Sequence, residues 1–355
     1  MMLHRFTELC AGIEPLDGEA EEQARNHLDQ LTKPPGSLGK LEAIAAQLAG
    51  MTGEAKPEFG KKAVIVMAGD HGVCEEGVSA FPAAVTPQMV MNFMAGGAAV
   101  NVLARQAGAE VVCVDIGVNG DLEHPQLVSR KVRKGTANMA KGPAMSREEA
   151  LQAILVGADI VEQYVNDGYR MFATGEMGIG NTTASAAILS VLSGMAPDRT
   201  VGRGTGIDDA KMAHKREVVS KAIAVNRPNA ADALDVLAKV GGLEIAGLVG
   251  VILGAAKHRC PVVIDGFISS AAALVAARLA PLSAGYMIGS HLSQEQGHEA
   301  LLDELGLTPL LQLDMRLGEG TGAVLAFTLI DAAVKIMREM ATFASAGVSS
   351  GGESQ

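Results

Sequence analysis

From Lys62 onward the chain alternates short apolar runs rich in Val and Ile with longer Ala-rich stretches, and loops of Gly, Asp and Glu separate them. Repeated strand-loop-helix units have this form, because a strand covered by helices on both faces reads as a nearly continuous hydrophobic run. The pattern predicts strands over Ala63–Ala68, Glu110–Ile116, Tyr169–Thr174, Pro261–Ile264 and Ala284–Ile288, each too short for a typical helix. Helices are predicted over Ala184–Leu192 and Thr321–Thr342, the latter entered through Leu317-Gly318-Glu319-Gly320 and followed by a small, polar, frayed tail. Residues 1–60 are more highly charged and read as helices around a break at Lys33-Pro34-Pro35-Gly36-Ser37-Leu38-Gly39.

The expected fold class is therefore α/β, a parallel sheet flanked by helices. One α/β domain with a helical accessory domain is the economical reading. In open parallel sheets ligands bind beyond the carboxyl ends of the strands. The loops carrying Asp70-His71-Gly72, Asp115-Ile116-Gly117, Gly175-Glu176-Met177-Gly178, Asp265-Gly266-Phe267 and Gly289-Ser290-His291 should then converge on one crevice.

Composition narrows the ligands. A net charge of -11 opposes non-specific attraction to nucleic acid or an anionic membrane surface. Cys10, Cys74, Cys113 and Cys260 form no CxxC pair, which makes a reducing cytoplasm the simplest compartment. The N-terminus lacks an apolar signal core, and the longest uncharged stretch, Ser79–Ala104, is interrupted by Pro82, Pro87, Gln88, Asn92 and Asn101, against a membrane span. Phosphate-loop, dinucleotide, HExxH and GxSxG signatures are all missing from the chain. His291 and His298 lack an evident third ligand, so no metal site is expected.

Three glycine-rich loops carry the candidate chemistry. In Gly175-Glu176-Met177-Gly178-Ile179-Gly180-Asn181-Thr182-Thr183, glycines let backbone N–H groups approach a bound oxygen, and the following helix start favours phosphate. The alternative is an ordinary turn with Asn181 or Thr182 as N-cap. In Val201-Gly202-Arg203-Gly204-Thr205-Gly206-Ile207-Asp208-Asp209, Arg203 and the later Lys215 are candidates for neutralising a phosphate, or else face water. Asp208 and Asp209 read as caps more readily than as magnesium ligands. The third loop isolates Glu319 between Gly318 and Gly320 among apolar neighbours. A carboxylate so placed is a candidate general base, because burial disfavours its charged form; capping the helix that begins near Thr321 is the other reading. The stretch from Gly77 to Met94, with Phe81 and Met89, offers polarizable surface for a flat heteroaromatic ring, or plain core.

Together these segments resemble one family, the nicotinate-nucleotide–dimethylbenzimidazole phosphoribosyltransferases. The motifs that carry the resemblance are Lys33-Pro34-Pro35-Gly36-Ser37-Leu38-Gly39, Asp70-His71-Gly72-Val73, the Glu176 loop, Gly202-Arg203-Gly204-Thr205-Gly206, Asp265-Gly266-Phe267, Ser290-His291 and Gly318-Glu319-Gly320-Thr321-Gly322. They stand in family order over nearly the whole chain. The resemblance implies transfer of a phosphoribosyl group from nicotinate mononucleotide to 5,6-dimethylbenzimidazole, without metal or organic cofactor. It also implies a homodimer, a Rossmann-like large domain over residues 61–324 and a small helical domain drawn from both chain ends, residues 1–60 with about 325–355. Glu319 matches the family's general base and Glu176 a second active-site acid. Phe81, Met89, Met177 and Leu317 match the benzimidazole pocket, and Gly178, Gly204 and Lys215 the phosphate and ribose side. Gly180, Asn181, Arg203, Asp265 and Ser290 are expected on that same side.

Overall fold

The computed structural model describes residues 1–349, so the last residues of the polar tail lie outside the described part. Three helices, α1 (Met2–Ala11), α2 (Gly18–Gln30) and α3 (Lys40–Thr52), precede the first strand, β1 (Lys61–Gly69). Then come α4 (Val85–Met94), α5 (Ala99–Ala107), β2 (Ala109–Gly117), β3 (Val128–Ser129), α6 (Arg147–Asn166) and β4 (Tyr169–Met177). The helices α7 (Asn181–Ser193), α8 (Pro197–Thr200), α9 (Asp209–Asn226), α10 (Ala233–Val240) and α11 (Leu243–Lys257) lead to β5 (Val262–Ile264). The chain continues through α12 (Phe267–Leu279), β6 (Met287–Gly289), α13 (His298–Leu305), α14 (Thr321–Glu339) and α15 (Phe343–Ala346).

All strand pairs are parallel and the order is β3-β2-β1-β4-β5-β6. The α/β expectation holds, and the strand order is that of the doubly wound Rossmann sheet. Two local expectations change. Residues 281–286 form a 3-10 turn and the strand begins only at Met287, so the stretch predicted as Ala284–Ile288 is mostly not strand. The two-residue β3 was not predicted, since so short a strand has no periodicity to detect.

Side chains alternate across β1 as the pleat requires. Val64 and Val66 point toward the side occupied by α14, and Met67 packs toward α11, where it meets Gly247. Helix α11 is buried along almost its entire length because it lies between the sheet and α6. Helix α14 packs on β4, β5 and α5 and also on α2 and α3, so it belongs to the sheet cover and the helical part at once. Helix α1 packs elsewhere, on α6 and α11. The two chain ends meet where Thr32 N donates to Ala341 O at 3.0 Å.

The α6–α11 contact is made backbone to backbone. A Cβ on Gly250 would stand 1.8 Å from Ile154 O, and one on Gly157 only 2.0 Å from Gly247 O. Mid-helix glycine costs about 1 kcal/mol relative to alanine, so close approach is what these positions supply. Gly250→Ala should accordingly lower stability by about 1–3 kcal/mol despite its better helix propensity, seen as a lower urea midpoint at unchanged m-value. An unchanged or higher midpoint would mean that the two helices separate without cost.

Candidate active site

The strand order reverses between β1 and β4, and a crevice opens there beyond the carboxyl ends of the strands. It contains a cavity of about 420 Å³ lined from the ends of β4 and β5, the segment after β6, the loop before α14 and the Phe81–Met89 segment. Four carboxyl groups, Glu176, Asp265, Glu295 and Glu319, line it and are all buried.

Strand β4 runs past the predicted Thr174 to Met177, so Glu176 is placed by the ladder itself, in register with Met67 of β1. Asn181 Nδ2 donates to Oε2, and a Cβ on Gly318 would come within 2.2 Å of Oε1. Burial, with the negative charges of Asp265 and Glu244 added, pushes the Glu176 carboxyl up to about 8. It is therefore protonated at neutral pH. The N-cap of α7 is Gly180 at φ 95°, not Asn181 or Thr182, and Asn181 serves Glu176 instead.

Asp265 directly follows β5. Its Oδ1 accepts from Ala323 N at 3.0 Å and its Oδ2 from Gly320 N at 3.2 Å, so it caps α14 from 55 residues away. Ser290 Oγ donates to Asp265 O at 3.1 Å, beneath the cavity. Burial raises the Asp265 carboxyl, opposed by His291 and by these N–H donors.

Because Asp265 holds α14, Glu319 is released from the capping role considered for it there. Its Oε2 accepts from Val100 N at 3.2 Å, at the start of α5, and its other oxygen has no hydrogen bond among the described residues. Gly318, Glu319 and Gly320 are consecutively left-handed at φ 88°, 64° and 96°, a conformation that costs a non-glycine residue about 1–2 kcal/mol. The loop keeps it by lying directly on β4, where a Cβ on Gly175 would stand 2.4 Å from Glu319 O. Burial raises the Glu319 carboxyl, opposed by Val100 N–H and reinforced by Asp265.

Behind Thr182 and Gly204, which line the cavity, Lys215 is almost fully buried, with Nζ donating to Thr182 Oγ1 at 2.7 Å and to Gly202 O at 3.3 Å. Burial lowers its ammonium to about 8, and Glu295 opposes that shift. Gly204, at φ 51°, lies against Thr182 and Lys215 where no side chain would fit. Gly178 likewise abuts Gly69 O. Arg203 departs from its expected place. It is half exposed, pairs with Asp209 at 2.5 Å and donates to Ile207 O, so it braces the loop from outside and does not line the cavity. Asp208 caps α9 through Lys211 N at 2.8 Å.

Met89 and Met177 line the apolar side, with Phe81 and Leu317 at its rim, each more than half exposed. Thr205 Oγ1 joins the two sides, accepting from Ala80 N at 2.9 Å. His298 is pushed down to about 3 by burial and by His291; its Nδ1 accepts from Ser293 N and its Nε2 bonds Ser270 Oγ.

A family model described as a phosphoribosyltransferase matches residues 13–348. The chain is 59% identical over 345 residues to the nicotinate-nucleotide–dimethylbenzimidazole phosphoribosyltransferase of Chloroflexus aggregans, covering 97% of this chain and 98% of that one. It is 56% identical to the enzyme of the same name from Chlorobaculum tepidum, covering 98% and 99% of the two chains. A solved structure of the Thermus thermophilus enzyme of that name superposes with a TM-score of 0.90 at 48% identity, over 95% of this chain and all of that one. The chain belongs to this phosphoribosyltransferase family.

The crevice brings together apolar walls, buried carboxyl groups and a glycine loop backed by the buried Lys215, parts that a phosphoribosyltransferase needs. Sequence reasoning missed Glu295, Ser293 and Thr205 as cavity-lining groups, and also Glu244, which pairs with His71 at 2.6 Å behind Gly178. Glu244 follows Gly241-Gly242 at the start of an apolar helix, the same glycine-then-acid signal that singled out Glu319.

The raised Glu176 carboxyl has a stability consequence. Between its ordinary value near 4.5 and about 8, the folded state holds a proton that the unfolded state has released, so stability falls as pH rises through that window. Glu176→Gln removes the dependence, and relative to the parent it should gain about 3 kcal/mol in unfolding free energy between pH 5 and pH 8. Parallel stability curves for the two proteins would show that Glu176 is ionised throughout.

Proposed function

We propose that the crevice carries out phosphoribosyl transfer from nicotinate mononucleotide to 5,6-dimethylbenzimidazole, giving α-ribazole 5'-phosphate and nicotinate, with Glu319 as the base. The observation that carries the assignment of roles is the tether of Glu319. One oxygen is fixed on Val100 N–H while the other has no partner among the described residues, in a cavity also lined by Thr182 and Gly204, with Lys215 bonded to Thr182 behind them. The apolar walls at Met89, Met177, Phe81 and Leu317 suit the benzimidazole ring, and the Gly178, Gly204 and Lys215 side suits the phosphate and ribose.

In this reaction nicotinate leaves from a pyridinium nitrogen. The breaking C–N bond returns its electron pair to the ring, which departs with a neutral nitrogen and needs no general acid. One benzimidazole nitrogen attacks the anomeric carbon from the opposite face with inversion, and Glu319 takes the proton from the other ring nitrogen. Holding the two rings on opposite faces of the sugar supplies a further large part of the rate. Glu176, protonated at neutrality, is suited to donate a hydrogen bond and not to take a proton. The chemistry calls for no metal or organic cofactor. A pair of identical subunits, a helical part built from both chain ends and a cytoplasmic setting complete the proposal, and the four cysteines are free, as a reducing compartment would leave them.

Incubating the protein with the two substrates and separating the products by chromatography tests the reaction. Nicotinate and α-ribazole phosphate should appear in equal amounts. Glu319→Gln should cut kcat by about two to four orders of magnitude with little change in nucleotide KM. The acidic limb of the kcat profile should lie above the ordinary glutamate value of 4.5, since burial raises this carboxyl and the active form is the ionised one. Near-normal turnover by the variant would reduce Glu319 to the cap of α5.

A further inference from the structure

Glu295 is an acid inside the end of the cavity assigned to an anion. Its carboxyl is buried, lines the cavity, and has an Oε2 without a hydrogen-bond donor among the described residues. It is aimed at the glycine loop, for a Cβ on Gly202 would stand 2.3 Å from that oxygen. Lys215 Nζ faces the same loop from α9, 3.0 Å from where a Cβ on Gly204 would be. A buried cation and a buried acid thus address one short run of backbone from opposite elements.

Toward a fully ionised phosphate this arrangement is contradictory, because a like charge in a desolvated site disfavours the ligand that Lys215 attracts. The conflict disappears when one proton lies between the two oxyanions, since a charge-assisted O–H···O bond replaces the repulsion. We propose that Glu295 is a specificity-determining residue that recognises the nucleotide's phosphate by sharing a proton with it, so that the phosphate dianion enters the cradle together with one proton from solvent. The inference rests on the reading of the Gly204 and Lys215 side as the phosphate cradle. No covalent bond changes: dianion, carboxylate and proton sum to a charge of two negatives, facing Lys215.

The charged groups acting on Glu295 are Lys215 and Arg316, both of which favour its ionised form, as does the Gly204 N–H. Burial outweighs them and raises the carboxyl above its ordinary value. His298 next to this segment is neutral and committed to Ser293 and Ser270. A sulfate group carries no proton near neutrality and offers nothing to share, so the site should discriminate between two ions of similar size and charge.

The test is calorimetric titration of the full-length protein with nicotinate mononucleotide at about pH 7.5, where a phosphate monoester is mostly dianionic, in two buffers of different ionisation enthalpy. The parent should take up more protons than Glu295→Gln, by about 0.5 to 1 per nucleotide bound, while Glu295→Asp keeps the uptake. Lys215 titrates nearby at about 8 and is held up by Glu295, so the same pair is compared in a Lys215→Arg background, where the difference isolates Glu295. Inorganic phosphate should displace the nucleotide about tenfold better than inorganic sulfate in the parent, and within about threefold in Glu295→Gln. Equal uptake by parent and variant, or a parent indifferent between phosphate and sulfate, overturns the proposal. If Glu295→Gln does not fold, Glu295→Asp and the parent's phosphate-to-sulfate ratio decide it. Product formation without proton linkage removes only this inference. Failure to bind the nucleotide, with phosphate still binding about tenfold tighter than sulfate when each is titrated directly, overturns the substrate reading and leaves the proton sharing standing.

Discussion

The seating of the Gly318–Gly320 loop on β4 is the constraint from which the rest of the site follows. Gly175 has no side chain, so the backbone of Glu319 reaches the strand, and the left-handed turn flanked by Gly318 and Gly320 lets the chain enter α14 at once. Asp265 then binds Gly320 N and Ala323 N and fixes the start of that helix. Move the loop outward by the width of a methyl group and Glu319 leaves Val100, Glu176 loses its cover at Gly318, and Asp265 is left as an uncompensated buried charge.

Crowding carboxyl groups into a chain that is already negative looks unfavourable until each one is followed to its partners. Asp265 and Glu319 each accept backbone N–H groups at helix starts, which favour their ionised forms. Glu176 has only Asn181 and the Glu319 N–H, with two negative neighbours, and stays protonated. Burial raises each of these acids, and the donors around Asp265 and Glu319 oppose it where the two negative neighbours of Glu176 add to it. Such separation is how a single site assigns a proton acceptor and a proton-bearing group at the same pH.

Much of the fold was legible because parallel strands covered on both faces must be apolar: β1, β2 and β5 fall on Val- and Ile-rich runs, and β4 on the apolar run around Met171–Ala173. The glycine loops were legible for a related reason, since clustered glycines between a strand and a helix mark close backbone approach. Asp208 followed the capping preference of its residue type. Arg203 and Lys215 show where that kind of reading stops. Both are basic residues near one glycine loop, yet Arg203 turns out to Asp209 while Lys215 is drawn in to Thr182, and only the path of α9 decides between them.

By itself the sequence determined the layer architecture, the three glycine-bounded loops and the isolation of Glu319 among apolar neighbours, because these depend on preferences acting over a few adjacent residues. Tertiary structure alone decided which helix each acid serves: Glu319 reaches α5 across 219 residues and Asp265 reaches α14 across 55. It also set the depth at which Glu176, Lys215 and Glu295 are buried, and with it the direction in which each is displaced from its ordinary titration. Hydrogen-bond partners and desolvation are properties of where chain segments meet in space, and local preference has no access to that distance.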